Sequence, residues 1–429
     1  MAATLARTTL TTAAAFGTYF AMYGFRKPFT AATYADTPGW FGLDAKTLLV
    51  TAQVLGYTVS KFVGIGVVAR MPAGRRALAL LALIAVAEAA LVGFGVAPDW
   101  LRPLLLFVNG LPLGMVFGLV LGFLEGRRHT EAMTAGLCAS FIVADGAAKS
   151  LGSSLLAAGV PEAWMPAVAG ALAALPLVPS VWLLAGTPPP DPDDVRSRSE
   201  RTPMARSDRL AFFRRHATGL VLLVAGYLLV TVLRSLRSDF APELLQQLGA
   251  TVQASTFTSM EVVIAVGVLV AAGATVLVRD NRRAFAIAIG IASAGFAGCL
   301  VALALQRTGQ LGGVPFFVVL GLGLYLPYVA VHTTVFERLV AMTRDRGNIG
   351  YLMYLADSFG YLGYVAVALG RGSLPRGEGL LPFFVTTAWL VACGGLVCFV
   401  AAGVWFLRQP PRPRTSTLAA AAGQFQEPG

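Results

Sequence analysis

The chain has 429 residues, of which 56% are hydrophobic and only 13% charged, and a mean hydropathy of +0.70. An ordinary soluble domain carries roughly 25% charged residues, so soluble enzyme, secreted disulfide scaffold and disordered chain are excluded as classes. The net charge of +11 would suggest nucleic acid in a soluble chain. Here the basic residues fall mostly in short loops between apolar runs, where they set membrane topology.

Twelve apolar runs follow in order, at 8–34, 45–69, 76–98, 101–125, 132–158, 163–186, 217–242, 253–278, 284–306, 311–336, 347–370 and 380–407. Each is long enough to cross a hydrocarbon core of about 30 Å as a helix. The first run, preceded by Arg7, is read as a retained span, because a cleaved signal would leave unequal halves. Residues 187–216 are rich in Pro and charge and form a cytoplasmic linker between two halves, 1–186 and 217–408. The tail 409–429 is rich in Pro, Ala and Gln and reads as disordered. The expected class is an all-α polytopic membrane protein with twelve transmembrane helices in two six-helix halves.

With the amino terminus inside, 22 Lys and Arg fall on inner segments. Five fall on outer loops: Lys46, Arg102, Arg307, Arg371 and Arg376. That bias puts both termini in the cytoplasm. Scarce Lys with abundant Arg and Ala suggests a GC-rich bacterial genome, hence an inner (plasma) membrane. Cys138, Cys299, Cys393 and Cys398 lie inside apolar runs without metal-ligand spacing, and the three histidines, His129, His216 and His332, are scattered. No cofactor, metal or catalytic motif is present, so no enzyme is expected.

Six basic residues remain within the spans: Arg26, Lys27, Lys61, Lys149, Arg234 and Arg237. A cation at mid-bilayer costs roughly 2.5–3.5 kcal/mol, so it faces a wet cavity, a counter-ion or an anionic ligand. Lys61 lies eight residues before Arg70, about 12 Å into the membrane at 1.5 Å per residue. Gly56, Ser60 and Gly64 give its helix a small-residue face suited to close packing. Arg234 and Arg237 share a helix face; Arg237 is placed for an ion pair with Asp239 or Glu261. Asp145 sits one turn before Lys149, as a structural pair or a coupling pair. Arg26 in FRKPF and Arg234 in LRSLRSDFAP fall at matching places in the two halves, as do Asp145 and Asp357. Such repeats describe a transporter with its site between the halves near mid-membrane.

Six plus six spans with a long polar middle loop resemble the major facilitator superfamily, and GVVARMPAGRR at Gly66–Arg76 resembles a degraded form of its loop signature. A finer resemblance is to the organophosphate:phosphate antiporters, carriers of glycerol 3-phosphate and hexose phosphates. YFAMYGFRKPF, GYTVSKFVGIG, LVTVLRSLRSDFAP, YLPYVAVHTTVFE and FGYLG are similar to motifs of that family's spans one, two, seven, ten and eleven. The resemblance implies substrate contacts for Tyr19, Tyr23, Arg26, Lys61, Arg234, Tyr325 and Tyr361, with Pro327 and Glu337 at matching places. Two departures stand out. The family's span-five histidine is absent, with Gly146 near its place, and Asp357 is an additional carboxylate. His332 lies two residues from the nearest family histidine position and is given no role.

The expected function is secondary active transport of a small organic anion, a phosphate ester, by alternating access around a two-arginine site. Asp145, Lys149, Asp357, Glu261 and Arg237 are assigned to coupling or ion pairing. The expected partners are the anion and the bilayer, with no nucleic acid, for a monomer. Proton-coupled symport of a carboxylate or zwitterion, and a transporter-like ligand sensor, are the alternatives.

Overall fold

The computed structural model describes residues 2–40, 42–124, 127, 130–188, 206–343, 349–371 and 379–409. Within them the first half consists of α1 (Ala2–Met22), α2 (Ala45–Arg70), α3 (Arg76–Val96), α4 (Arg102–Leu124), α5 (Thr130–Ala157) and α6 (Met165–Ala185). The second half runs through α7 (Arg206–Asp239), the short α8 (Ala241–Gln247), α9 (Ala254–Val276), α10 (Asn281–Arg307) and α11 (Gly313–Ala330). A π-helical turn, Val331–Val335, leads into α12 (Phe336–Thr343), followed by α13 (Ile349–Arg371) and α14 (Leu380–Arg408). Most of the expected linker and nearly all of the tail, 189–205 and 410–429, lie outside the described residues.

Counting α11, the π turn and α12 as one rod, the described residues contain twelve long helical rods, six before the linker and six after it. Nine are long and apolar enough to cross a membrane by length and composition. The other three are α1, α2 and α5; Lys61 of α2 and Asp145 and Lys149 of α5 are buried. Large apolar side chains face outward on several rods: Leu175, Trp182 and Leu277 are 71%, 75% and 84% exposed. That pattern suits hydrocarbon as the surrounding solvent.

Helix starts follow local chemistry. Asp44 caps α2 by accepting from the Thr47 N–H at 2.9 Å, and Asp280 caps α10 by accepting from the Arg283 N–H at 2.7 Å. In α4, Gly110, Gly114, Gly118 and Gly122 recur every fourth residue and form one stripe. A Cβ on Gly110 would lie 2.2 Å from the Gln53 carbonyl oxygen, and one on Gly56 would lie 2.1 Å from that of Phe107. The backbones of α2 and α4 therefore touch, as small-residue faces permit in membranes. This contact fixes the rotation of α2, and with it the direction of Tyr57 and Lys61.

The halves meet mainly along α5 against α9 and α2 against α13. Gly146 of α5 lies on the backbone of α9, where a Cβ would approach the Phe257 carbonyl to 2.4 Å.

Candidate functional site

α1 stops at Met22, and the chain continues as two 3-10 turns, Tyr23–Phe25 and Pro28–Ala31. Pro28 lacks an N–H and cannot donate back to the preceding turn, which suits the start of a new helical turn. Carbonyls freed by this break lie in the interior, where each needs a donor. Asn109 of α4 donates to the Phe25 and Ala87 carbonyls at 3.1 and 3.0 Å. Gln53 of α2 donates to the Arg26 carbonyl at 2.9 Å and to the Asn109 carbonyl oxygen at 2.8 Å. The irregular segment is thereby clamped with Arg26 and Lys27 buried. The unbroken helix expected over 8–34 is corrected at this point.

Arg26 and Arg234 are 4% and 6% exposed, and neither side chain has an ion-pair or hydrogen-bond partner among the described residues. Aromatic faces stand in for counter-ions. The Arg26 guanidinium carbon lies 4.0 Å from the Tyr57 ring centre, with Tyr23 and Tyr361 at 5.6 and 5.8 Å. That of Arg234 lies 4.4 Å from Tyr328 and 5.7 Å from Tyr325. Tyr23 and Tyr361 lie within electrostatic reach of both arginines. Each cation–π contact is worth about 2 kcal/mol when desolvated, less than an ion pair supplies, so both guanidiniums retain unmet demand for an anion.

The other buried Lys and Arg side chains all have acids. Lys27 pairs with Asp239, Lys46 with Glu243, Lys149 with Asp145, Lys61 with Asp357 at 2.9 Å and Arg237 with Glu261 at 2.9 Å. Seven buried cations thus face five carboxylates among the described residues, and the two arginines are the surplus. Lys46, counted from sequence as an outer-loop charge, is 3% exposed and belongs to the interior; its ammonium also donates to the Thr30 carbonyl at 2.7 Å.

Three of these pairs join the halves. Lys27–Asp239 and Lys46–Glu243 close the end opposite the termini. Ser238 reinforces them, donating to Asp145 at 2.8 Å, while Lys149 donates to Ser238 at 3.0 Å. Lys61–Asp357 crosses deeper, toward the termini. Between them lies a narrow cavity lined by Tyr19, Tyr23, Tyr57, Lys61, Phe117, Phe141, Tyr328, His332, Asp357 and Tyr361. Phe141 meets Tyr328 edge-on at 5.6 Å, and Tyr57 meets Tyr361 at 5.0 Å, so aromatic contacts bridge the halves around it.

Of the residues singled out from sequence, Tyr19, Tyr23, Lys61, Asp357 and Tyr361 line this cavity, and Arg26, Arg234 and Tyr325 stand behind its tyrosines. Asp145, Lys149, Glu261 and Arg237 do not line it; they form ion pairs in the layer nearer the closed end. Sequence reading missed Tyr57, Tyr328, Tyr227 and the clamp Gln53–Asn109. Tyr57 lies one turn before Lys61 and Tyr227 two turns before Arg234, a face periodicity that could have found them.

The family model of DUF5690, a family of unknown function, matches residues 28–409. The chain belongs to this family. No curated protein matches the chain in sequence. Among solved structures, this DUF5690 member is similar to a D-xylose–proton symporter, at 16% identity and a TM-score of 0.58, covering 94% of this chain and 96% of that one. It is also similar to a bacterial homologue of the human lysosomal transporter Spinster, inward-facing and unoccupied. There the identity is 14%, the TM-score 0.58 and the coverage again 94% and 96%. The fold is that of the major facilitator superfamily, and the protein is an integral membrane protein.

Proposed function

We propose that this DUF5690 protein is a secondary transporter of a small organic anion, a phosphate ester, bound between Arg26 and Arg234 and moved by alternating access. One observation carries the reading: two buried arginines, one from each half, stand beside a shared cavity with no acid partner among the described residues. Guanidinium groups bind phosphate or carboxylate with paired hydrogen bonds. A doubly charged anion engaging both would draw the halves together, so its binding energy differs between open and closed arrangements. The sequence resemblance to the organophosphate antiporters favours the phosphate ester over the carboxylate. The charge bias between loops supports cytoplasmic termini in a bacterial inner membrane.

The test is exchange of radiolabelled phosphate in proteoliposomes loaded with phosphate, challenged outside by phosphate esters and carboxylates. Saturable exchange inhibited by a small ester, and reduced at least about tenfold in both Arg26→Lys and Arg234→Lys, is the expected result. Undiminished exchange in both variants would remove the two-arginine site.

A further inference from the structure

His332 lies in the π-helical turn Val331–Val335, a rare distortion that often marks functional sites. The turn sets the ring against the cavity wall. Its Nδ1 lies 2.9 Å from the Tyr328 carbonyl oxygen, which only accepts, so Nδ1 carries a proton. Its Nε2 faces Asp357 Oδ1 at 3.5 Å and the Tyr227 hydroxyl at 3.4 Å. Tyr227 spends its one proton on Asp357. A neutral imidazole would therefore turn an Nε2 lone pair toward a carboxylate, with no donor to meet it. Asp357 is held ionised on its other oxygen by Lys61 of the opposite half. A proton on Nε2 would supply the missing donor, so the imidazole and the carboxylate together form a seat for one proton.

Asp357 and Tyr361 come from α13, Tyr227 from α7, Tyr328 from α11 and Lys61 from α2. Phe117 of α4 and Phe141 of α5 face the ring at 6.4 and 6.5 Å, and Cys138 of α5 is a further titratable group near Asp357. Arg234 packs on the Tyr328 ring at 4.4 Å, and that ring lies 4.6 Å from the His332 ring. The local charge without ligand is strongly positive, which opposes a second imidazole proton. An anion on the arginines offsets that charge, so anion and proton favour each other's binding, and the coupling is reciprocal.

We infer that His332, seated against Asp357, is the proton-binding site of this transporter, and that the proton enters with the anion. The inference rests on the anion reading above and adds the coupling ion to it. The bound proton stays on Nε2, between imidazole and carboxylate, and leaves to water when the cavity opens on the other side. His332 is a proton-carrying residue here, not an anion ligand.

Two measurements on the full chain separate the outcomes. The first needs no substrate. Nitrogen-15 histidine spectra of the purified protein, followed as the pH is lowered, should show a signal, identified by its loss in His332→Gln, that passes from the neutral Nδ1–H form to imidazolium. In Asp357→Asn the same signal should stay neutral at the pH where wild type is protonated. A wild-type His332 that stays neutral throughout, or that behaves identically in Asp357→Asn, overturns the proposal. The second compares labelled phosphate uptake driven by an inward proton gradient with phosphate exchange at equal pH. Wild type should show driven uptake several-fold above the no-gradient level, and His332→Gln a ratio near one, whatever its exchange rate. A ratio in His332→Gln equal to wild type also overturns it. An imidazolium at His332 without any phosphate exchange in wild type would strike the phosphate reading instead, and leave the proton site standing.

Discussion

Arg26→Met and Lys61→Met each remove one buried cation beside the same cavity, and they should move stability in opposite directions. Arg26 has no acid partner among the described residues, and its nearest compensation is the Tyr57 ring at 4.0 Å. An unpaired buried charge costs several kcal/mol, of which such a contact returns about 2 kcal/mol. Replacing it with an apolar side chain of similar length should stabilise the unliganded protein by about 1–3 kcal/mol. Lys61 instead holds Asp357 at 2.9 Å. Removing one member of a buried pair costs about 3–5 kcal/mol, with the lower end expected because Tyr227 and His332 remain on the carboxylate. Binding should move the other way for Arg26. A charge at 4 Å from an anion is worth about 4 kcal/mol at an effective dielectric of 20, so Arg26→Met should weaken phosphate binding about a thousandfold. Arg26→Lys keeps the charge but loses one charge-assisted hydrogen bond worth about 1.5–3 kcal/mol, a loss of about tenfold to a hundredfold. Thermal unfolding followed by tryptophan fluorescence gives the first quantity, and labelled-phosphate binding to the purified protein the second. Higher Tm with lost binding is the signature of a site that holds charge for function at the expense of stability. A Tm lowered as much as in Lys61→Met, with binding intact, would refute the reasoning and make Arg26 a structural residue.

Gly110→Ala should abolish folded protein, because its Cβ would lie 2.2 Å from the Gln53 carbonyl oxygen and push α2 off α4. Gly298→Ala, with nothing within 4 Å, should leave yield and Tm unchanged in size-exclusion and melting assays. In a background lacking the four native cysteines, Lys46→Cys with Glu243→Cys replaces the pair that joins the halves at the end opposite the termini. Joining these thiols with a short, cleavable reagent should arrest phosphate exchange, and cleaving the link should restore it. Full exchange in the linked protein would show that the halves do not part at this end.

Much of this architecture was legible in the sequence because membranes restrict the choices. Apolar runs long enough to span can only become helices, and Arg-rich loops between them fix the fold class. Ionisable residues inside such runs are costly, so Arg26, Lys61, Asp145, Arg234 and Asp357 announced themselves by position alone. The pairings Lys149–Asp145 and Arg237–Glu261 were within reach, the first from helix periodicity and the second from a neighbouring span. What sequence spacing does not encode is which faces of distant helices meet. Lys46 reads as a loop charge until Glu243 of the other half is found beside it. His332 has no motif, and becomes a proton site only when a π turn aims Nε2 at Asp357. Asn109 and Gln53 look like stray polar residues in apolar runs, and their purpose appears only when α1 unwinds and frees the Phe25 and Arg26 carbonyls. Deciding which cations are paired and which two are left for a ligand is a question of distances across the interface between halves. Composition and periodicity fix the helices and their inward charges; only tertiary packing assigns those charges to one another and leaves Arg26 and Arg234 unmatched.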